Sequence, residues 1–179
     1  MKRTFTFLMT VLLAFAGVVK AQPEQGQYYR IKADGQDLYL TIRGYNGTGE
    51  ASAYGTVPFL AESKANPDQV WTVESAGTEG EFYLKSKSEY YITHGGWNIN
   101  AYNNGQKGKV SFVAAGENKY KIKNLDATKW YKTQVPGWGE DALHPFCDGK
   151  EENAAAVFCF ETVDLEEFAS AITVTYKFT

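Results

Sequence analysis

The feature that most constrains this chain is an internal threefold repeat. A strand ending in Tyr-x-Thr occurs three times, as LYLT closing at Thr41, YYIT at Thr93 and WYKT at Thr133. Each copy follows an alternating strand and a tight polar turn, in YYRIKADGQD, EFYLKSKS and KYKIKNLDAT. Each is followed by a glycine-aromatic pair, at Gly44-Tyr45, Gly96-Trp97 and Gly137-Trp138. A third strand then carries an aromatic at Tyr54, Tyr102 or Phe146, and an apolar strand closes the unit in QVWTVE, KVSFVA and AVFCFE. A period of this size marks one supersecondary unit that cannot bury its apolar face alone.

Four strands in each of three units make twelve. Three such units around an axis can close a barrel and cap it with hairpins, which leaves no open sheet edge. The expected fold is therefore all-β, a β-trefoil running from about Gln25 to Asp164. The spacing between units differs most in VPFLAESKANPD, which reads as a long loop of the first unit, where length variation is tolerated.

The two ends read differently. Lys2 and Arg3 precede an apolar run from Phe5 to Val19, and Val19-Lys20-Ala21 offers a cleavage site, so residues 1–21 read as a signal peptide with Gln22 as the mature start. That places the protein outside the cell, in a periplasm or at the cell surface, with no membrane insertion after cleavage. The domain organisation expected is 1–21 signal peptide, 22–164 trefoil, and 165–179 a linker and the start of a further β domain. Asp164, with Glu167 three residues on, has the pattern of a helix start. The closing AITVTYKFT alternates strictly, as the first strand of a following β-sandwich in a longer chain would.

Charge and cysteine usage exclude several functions. Cleavage removes three of the eighteen basic residues, leaving fifteen against twenty-one acidic ones, a net charge of −6. No run of Lys or Arg remains, which argues against nucleic acid as a partner. Cys147 and Cys159 can form a disulfide in an oxidising compartment, but FCD and FCF also suit two buried thiols, and both readings stand. Two thiols with His94 and His144 are too few for a structural metal site, so none is expected. There is no nucleophile elbow, zinc-protease helix or phosphate loop, and the paired carboxylates Glu140-Asp141 and Glu151-Glu152 sit in polar loops. No catalytic residue, enzyme activity or cofactor is expected of this chain, although a longer protein could carry a glycoside hydrolase, sialidase or peptidase.

Repeated loop aromatics suit a glycan partner. A sugar has an apolar face of C–H groups and a rim of hydroxyls, so its site needs an aromatic platform with a few amides or carboxylates beside it. The chain resembles the ricin-type lectins, whose lobes carry a Q-x-W signature. Gln69-Val70-Trp71 is an intact copy, while Lys109-Val110-Ser111 and Ala156-Val157-Phe158 have lost it. The resemblance implies, in each lobe, an acid on the first hairpin turn, a loop aromatic, and an Asn or Gln near the end. By position these are Asp34, Tyr45 and Gln69 in the first lobe and Asp126, Trp138 and Asn153 in the third. The second offers Trp97 with Asn103 or Asn104 and lacks the turn aspartate, for which Asn98 and Asn100 could compensate.

Each residue also has a plainer role. The loop aromatics could plug the barrel, the aspartates could form turns, and Gln69 could satisfy backbone groups beside Trp71. Trp71, Tyr39, Tyr91 and Tyr131 read as core, and His94 and His144 as polar loop residues. The resulting expectation is a monomeric carbohydrate-binding module that targets a larger secreted enzyme through up to three weak sites. The rivals are a trefoil protease inhibitor of the Kunitz soybean type, acting through the long first-lobe loop or the segment around Arg43, and a non-binding spacer.

Overall fold

The computed structural model describes residues 20–44, 50–95, 98–137, 142–166 and 168–169. The fold is a β-trefoil. The first lobe holds β1 (Tyr28–Ala33), β2 (Tyr39–Leu40), β3 (Tyr54–Thr56), β4 (Phe59–Leu60) and β5 (Trp71–Ser75). The second holds β6 (Phe82–Ser86), β7 (Tyr91–Gly95), β8 (Asn98–Tyr102) and β9 (Val110–Gly116). The third holds β10 (Lys119–Asn124), β11 (Lys129–Gln134), β12 (His144–Gly149) and β13 (Phe158–Thr162).

The first and last strands of the lobes close on themselves. β1 pairs with β5, β5 with β6, β6 with β9, β9 with β10, β10 with β13, and β13 returns to β1, all antiparallel. This six-stranded ring has no free edge. Hairpins β2–β4, β7–β8 and β11–β12 cap it, tied across lobes by β3–β8 and by Phe146 opposite Asn98. Alternation aims one face of every barrel strand inward. Ile31, Leu84 and Ile122 thus converge as threefold equivalents with Val73, Phe112 and Phe160, all buried.

Three expectations change. The third strand of the first lobe is split into β3 and β4 at Val57-Pro58, giving thirteen strands among the described residues rather than twelve. The supposed long loop therefore begins as structure: Val57 and Phe59 are core, because proline breaks the ladder without breaking the apolar pattern. The Tyr-x-Thr copies are also not all in register. Lys32 pairs with Tyr39, Lys85 with Tyr91, but Lys123 with Trp130. A bulge between Trp130 and Tyr131 turns Tyr131 inward, to the place that Leu40 and Ile92 hold in the other lobes. Tyr91 is accordingly half-buried rather than core, while Trp71 is fully buried with its indole N–H on Leu40 O at 2.9 Å.

Beyond β13, Asp164 Oδ1 accepts the Glu166 N–H at 2.8 Å, and Phe168 N–H reaches Asp164 O at 3.0 Å. Phe168 packs with Val70, Val163 and Tyr28 in a small satellite of the core. Residues 170–179, expected to open a further module, lie outside the described residues, as does most of the signal segment.

Candidate functional site

The outward faces of the barrel strands meet at three seams between lobes, and each seam is built on the same scaffold. Lys32 lies over the Tyr39 ring at 5.7 Å, Lys85 over Tyr91 at 5.7 Å, and Lys123 over Trp130 at 5.6 Å. In the first two seams the preceding lobe adds a carboxylate. Tyr39 OH donates to Glu161 at 2.8 Å, and Tyr91 OH donates to Glu74 at 2.9 Å. The corresponding residue of β9 is Val113, which pairs with Lys121, and the ring of that seam is Trp130, which has no hydroxyl to satisfy.

At the seam of the first and third lobes this scaffold opens into a cleft of about 500 Å³. Asp34 stands on the β1–β2 turn there and receives Lys119 Nζ at 2.6 Å and the Cys159 thiol at 3.3 Å. The Lys119 ammonium, then the thiol, hold the Asp34 carboxyl below its ordinary range. Lys32 is bonded to Glu161 at 2.5 Å and to Asp37 at 3.4 Å, and the Glu161 carboxylate raises its pKa despite partial burial.

Among the described residues, those expected in the first and third lobes are not brought together. Gln69 is 1% exposed. Its amide donates to Thr41 Oγ1 at 2.9 Å and Ala61 O at 2.8 Å, and accepts the Ser63 N–H at 2.7 Å. It therefore braces the first lobe from inside and presents no group to a ligand. Asp126 is exposed, but it is not the counterpart of Asp34. The matching turn bonds are Asp34 N–H to Val157 O, Lys87 N–H to Val70 O and Leu125 N–H to Lys109 O, so Leu125 holds that place. Asp126 Oδ2 accepts the Lys109 N–H at 3.0 Å, which ties the β10–β11 turn to the residue before β9. Asn153 is exposed in a short 3-10 turn and lines a separate cleft of about 380 Å³ with Lys132 and Asp148. Tyr45, Trp97 and Trp138 lie outside the described residues, as do Glu140 and Asp141. Glu152 pairs with Lys121 at 3.5 Å.

In the second lobe Asn103 is exposed at the end of β8, its N–H on Ala53 O at 3.2 Å. Beside it lies an arrangement that sequence reasoning missed. β3 and β8 pair with Tyr54 opposite Tyr102, and their rings stack at 5.5 Å and 22°. Tyr54 is 38% exposed, while the third-lobe counterpart Phe146 is buried. The signal was present in the polar, small neighbours of SAYG and NAYNN. Asn98 and Asn100 point elsewhere, lining a void of about 20 Å³ with Thr56 and His144. A void of that size has room for a single water.

Both histidines sit in strands, not loops, and His144 is buried. The cysteines are free. Cys147, on β12, is in the core, and the Cys159 thiol on β13 faces Asp34. Burial raises the Cys147 thiol to about 11; burial and then Asp34 raise Cys159 to about 11. Among the described residues no cluster of His, Cys, Asp and Glu could hold a metal, and no helix is long and apolar enough to cross a membrane.

Comparison with known proteins agrees on the fold. No family model matches the chain, and no curated protein does so by sequence. Among solved structures, the β-trefoil BEL shares 14% identity over 79% of this chain and 97% of its own, with a TM-score of 0.56. ThreeFoil, a designed threefold-symmetric protein, shares 18% over 76% and 98%, at 0.52. The ricin B-like lectin of Macrolepiota procera, solved with lactose, shares 17% over 78% and 98%, at 0.52. The chain is thus a β-trefoil similar in fold to proteins that include a lectin.

Proposed function

We propose that this chain is a carbohydrate-binding module of ricin-type layout, exported by its N-terminal segment and serving to hold a larger extracellular enzyme against glycans. The observation that carries the reading is the stacked Tyr54–Tyr102 pair, in which Tyr54 is 38% exposed, with the exposed Asn103 next along the strand. Tyr45, Trp97 and Trp138 extend the same chemistry to the three lobes. Each site would be weak, in the millimolar to high-micromolar range, and several on one monomeric module would gain avidity. Gln69 has no part in contact with the glycan. Neither nucleic acid nor a bilayer is a partner in this reading.

An inhibitory role draws less support. A trefoil inhibitor acts through a protruding rigid loop, but the first-lobe segment is anchored by buried Val57, Phe59 and Gln69. Arg43 is held by its bridge to Thr56. The test is a glycan array probed with the chain from Gln22 onward, beside Tyr54→Ala and a triple variant with Tyr45, Trp97 and Trp138 changed to alanine. Binding by the parent that falls in both folded variants supports a lectin-like module. No binding by the parent moves these aromatics to a structural role and favours the inhibitor or spacer.

A further inference from the structure

We infer that the seam between the first and third lobes is a binding site for a neutral, hydroxyl-rich sugar unit, gripped by residues of both lobes. The inference rests on the glycan-binding reading and adds a site that no single lobe could form. Its opposing walls are the β1–β2 turn and the β9–β10 turn, with β13 as floor. Asn118 shapes the second wall from the left-handed region, at φ 52°. Its carbonyl takes the Phe160 N–H at 2.8 Å.

The three seams share one scaffold but differ in what covers them. In the seam of the first and second lobes, Lys107 lies over Tyr91 at 4.0 Å and Tyr83 at 5.3 Å. There Lys87, the counterpart of Asp34, is sandwiched between Tyr28 at 5.1 Å and Phe168 at 5.4 Å. In the seam of the second and third lobes Leu125 holds that place, and Lys109 is tied to Glu81 at 2.8 Å. Among the described residues the first-and-third seam has no such cover, and its cleft holds about 500 Å³. That volume suffices for a sugar ring with its hydroxyls.

Charge selects the ligand class. Four carboxylates (Asp34, Asp37, Glu117 and Glu161) face two ammoniums (Lys32 and Lys119), an excess that repels an anionic sugar. Both ammoniums already have carboxylate partners, so a cationic ligand would compete with built ion pairs. Each paired group nevertheless keeps unused capacity: an ammonium has three donors, and a carboxylate about four lone-pair sites. A vicinal diol can accept from a lysine and donate to its carboxylate without breaking either pair. The amides of Gln36 and Asn118 add donors and acceptors on the two walls.

Cys159 is a reporter built into the cleft, and Cys147, fully buried, is its internal control. The experiment measures iodoacetamide alkylation of Cys159 at about pH 9, below its raised pKa, by peptide mass spectrometry on the chain from Gln22 onward. It is run with the methyl glycosides of glucose, galactose and mannose, with a methyl glucoside carrying a 2-trimethylammonio group as the amino sugar, cationic at any pH, and with methyl glucuronide. At about 50 mM ligand, a site of about 10 mM affinity slows alkylation about sixfold. At least one neutral glycoside is expected to do so, the charged sugars less, and Lys119→Met, on an exposed position, is expected to remove the protection in a folded protein. If sugars bind on the array yet leave Cys159 alkylation unchanged, glycans bind elsewhere and the seam site is wrong while the module reading stands. Stronger protection by the amino or acidic sugar, or protection unaltered in Lys119→Met, overturns the assignment. No saccharide binding by any readout removes both.

Discussion

The seam of the first and third lobes and the seam of the first and second lobes occupy equivalent places around one barrel, yet they are finished with opposite chemistry. In the first, Asp34 meets Lys119 through an exposed ion pair at 2.6 Å, over a thiol and an open cleft. In the second, Lys87 fills the place of Asp34 and lies between two rings, beside the cluster of Val70 and Val163. The inward residues are buried and apolar in both: Ile31 and Leu84 are equivalents, as are Phe160 and Val73. Core packing fixes the backbone of every lobe at once, because a lost methylene is felt by all neighbours. Outward side chains are bound by no such condition, so each seam can be closed for stability or left open for a ligand. The closed seam should answer to stability measurements and the open one to chemistry.

The largest effect belongs to the shared core. Trp71→Ala removes a fully buried ring and its bond to Leu40 O. It should lower unfolding free energy by about 3–5 kcal/mol in urea denaturation. A cost under about 1 kcal/mol would mean that the barrel does not fix the lobes as described. Phe168→Ala, in the closed seam, should cost about 2–3 kcal/mol by the same measurement, less than a central position because the satellite cluster is small. An unchanged denaturation midpoint would show that this seam is not sealed by residues beyond β13.

Gln69→Ala sharpens the division between frame and site. It strands Ala61 O and the Ser63 N–H, at a cost of about 1–3 kcal/mol, with glycan affinity unchanged in the folded variant. Lost affinity at full stability would return Gln69 to the binding surface. The smallest effect on stability falls in the open seam. Asp34→Asn should leave the melting temperature where it was, since exposed ion pairs contribute little. It should nevertheless speed alkylation of Cys159 at fixed pH. Burial and then the Asp34 carboxylate raise the thiol pKa, so losing the carboxylate increases the thiolate fraction. Slower alkylation would contradict the described contact.

These differences also explain how far the chain could be read in advance. The threefold strand pattern was legible because a core face repeats every second residue, whatever the loops do. The slide of Trp130 and Tyr131 was not, since a one-residue bulge leaves the local motif WYKT intact while turning the side chain inward. Nor was the split at Pro58, because Val57 and Phe59 keep the apolar pattern through the break. Gln69 looked like a contact residue because sequence cannot say which way an amide faces. The open seam was invisible for another reason: Asp34 and Lys119 are 85 residues apart, and neither belongs to the other's lobe. The shelf at Tyr54 and Tyr102 had its rings noted in advance, but their exposure depended on the pairing of β3 with β8.

The most direct test of the central claim, that glycans meet the outward loops and not the barrel frame, is a saccharide titration followed through the tryptophan indole N–H signals by NMR. Trp71 is bound inside to Leu40, and Trp130 is buried under Lys123. On adding a saccharide selected by the array, the Trp97 and Trp138 signals should move progressively while Trp71 stays fixed. Movement of Trp71, or binding that moves neither the Trp97 and Trp138 signals nor those of Tyr54, Tyr102 and the first-and-third seam, would contradict the account.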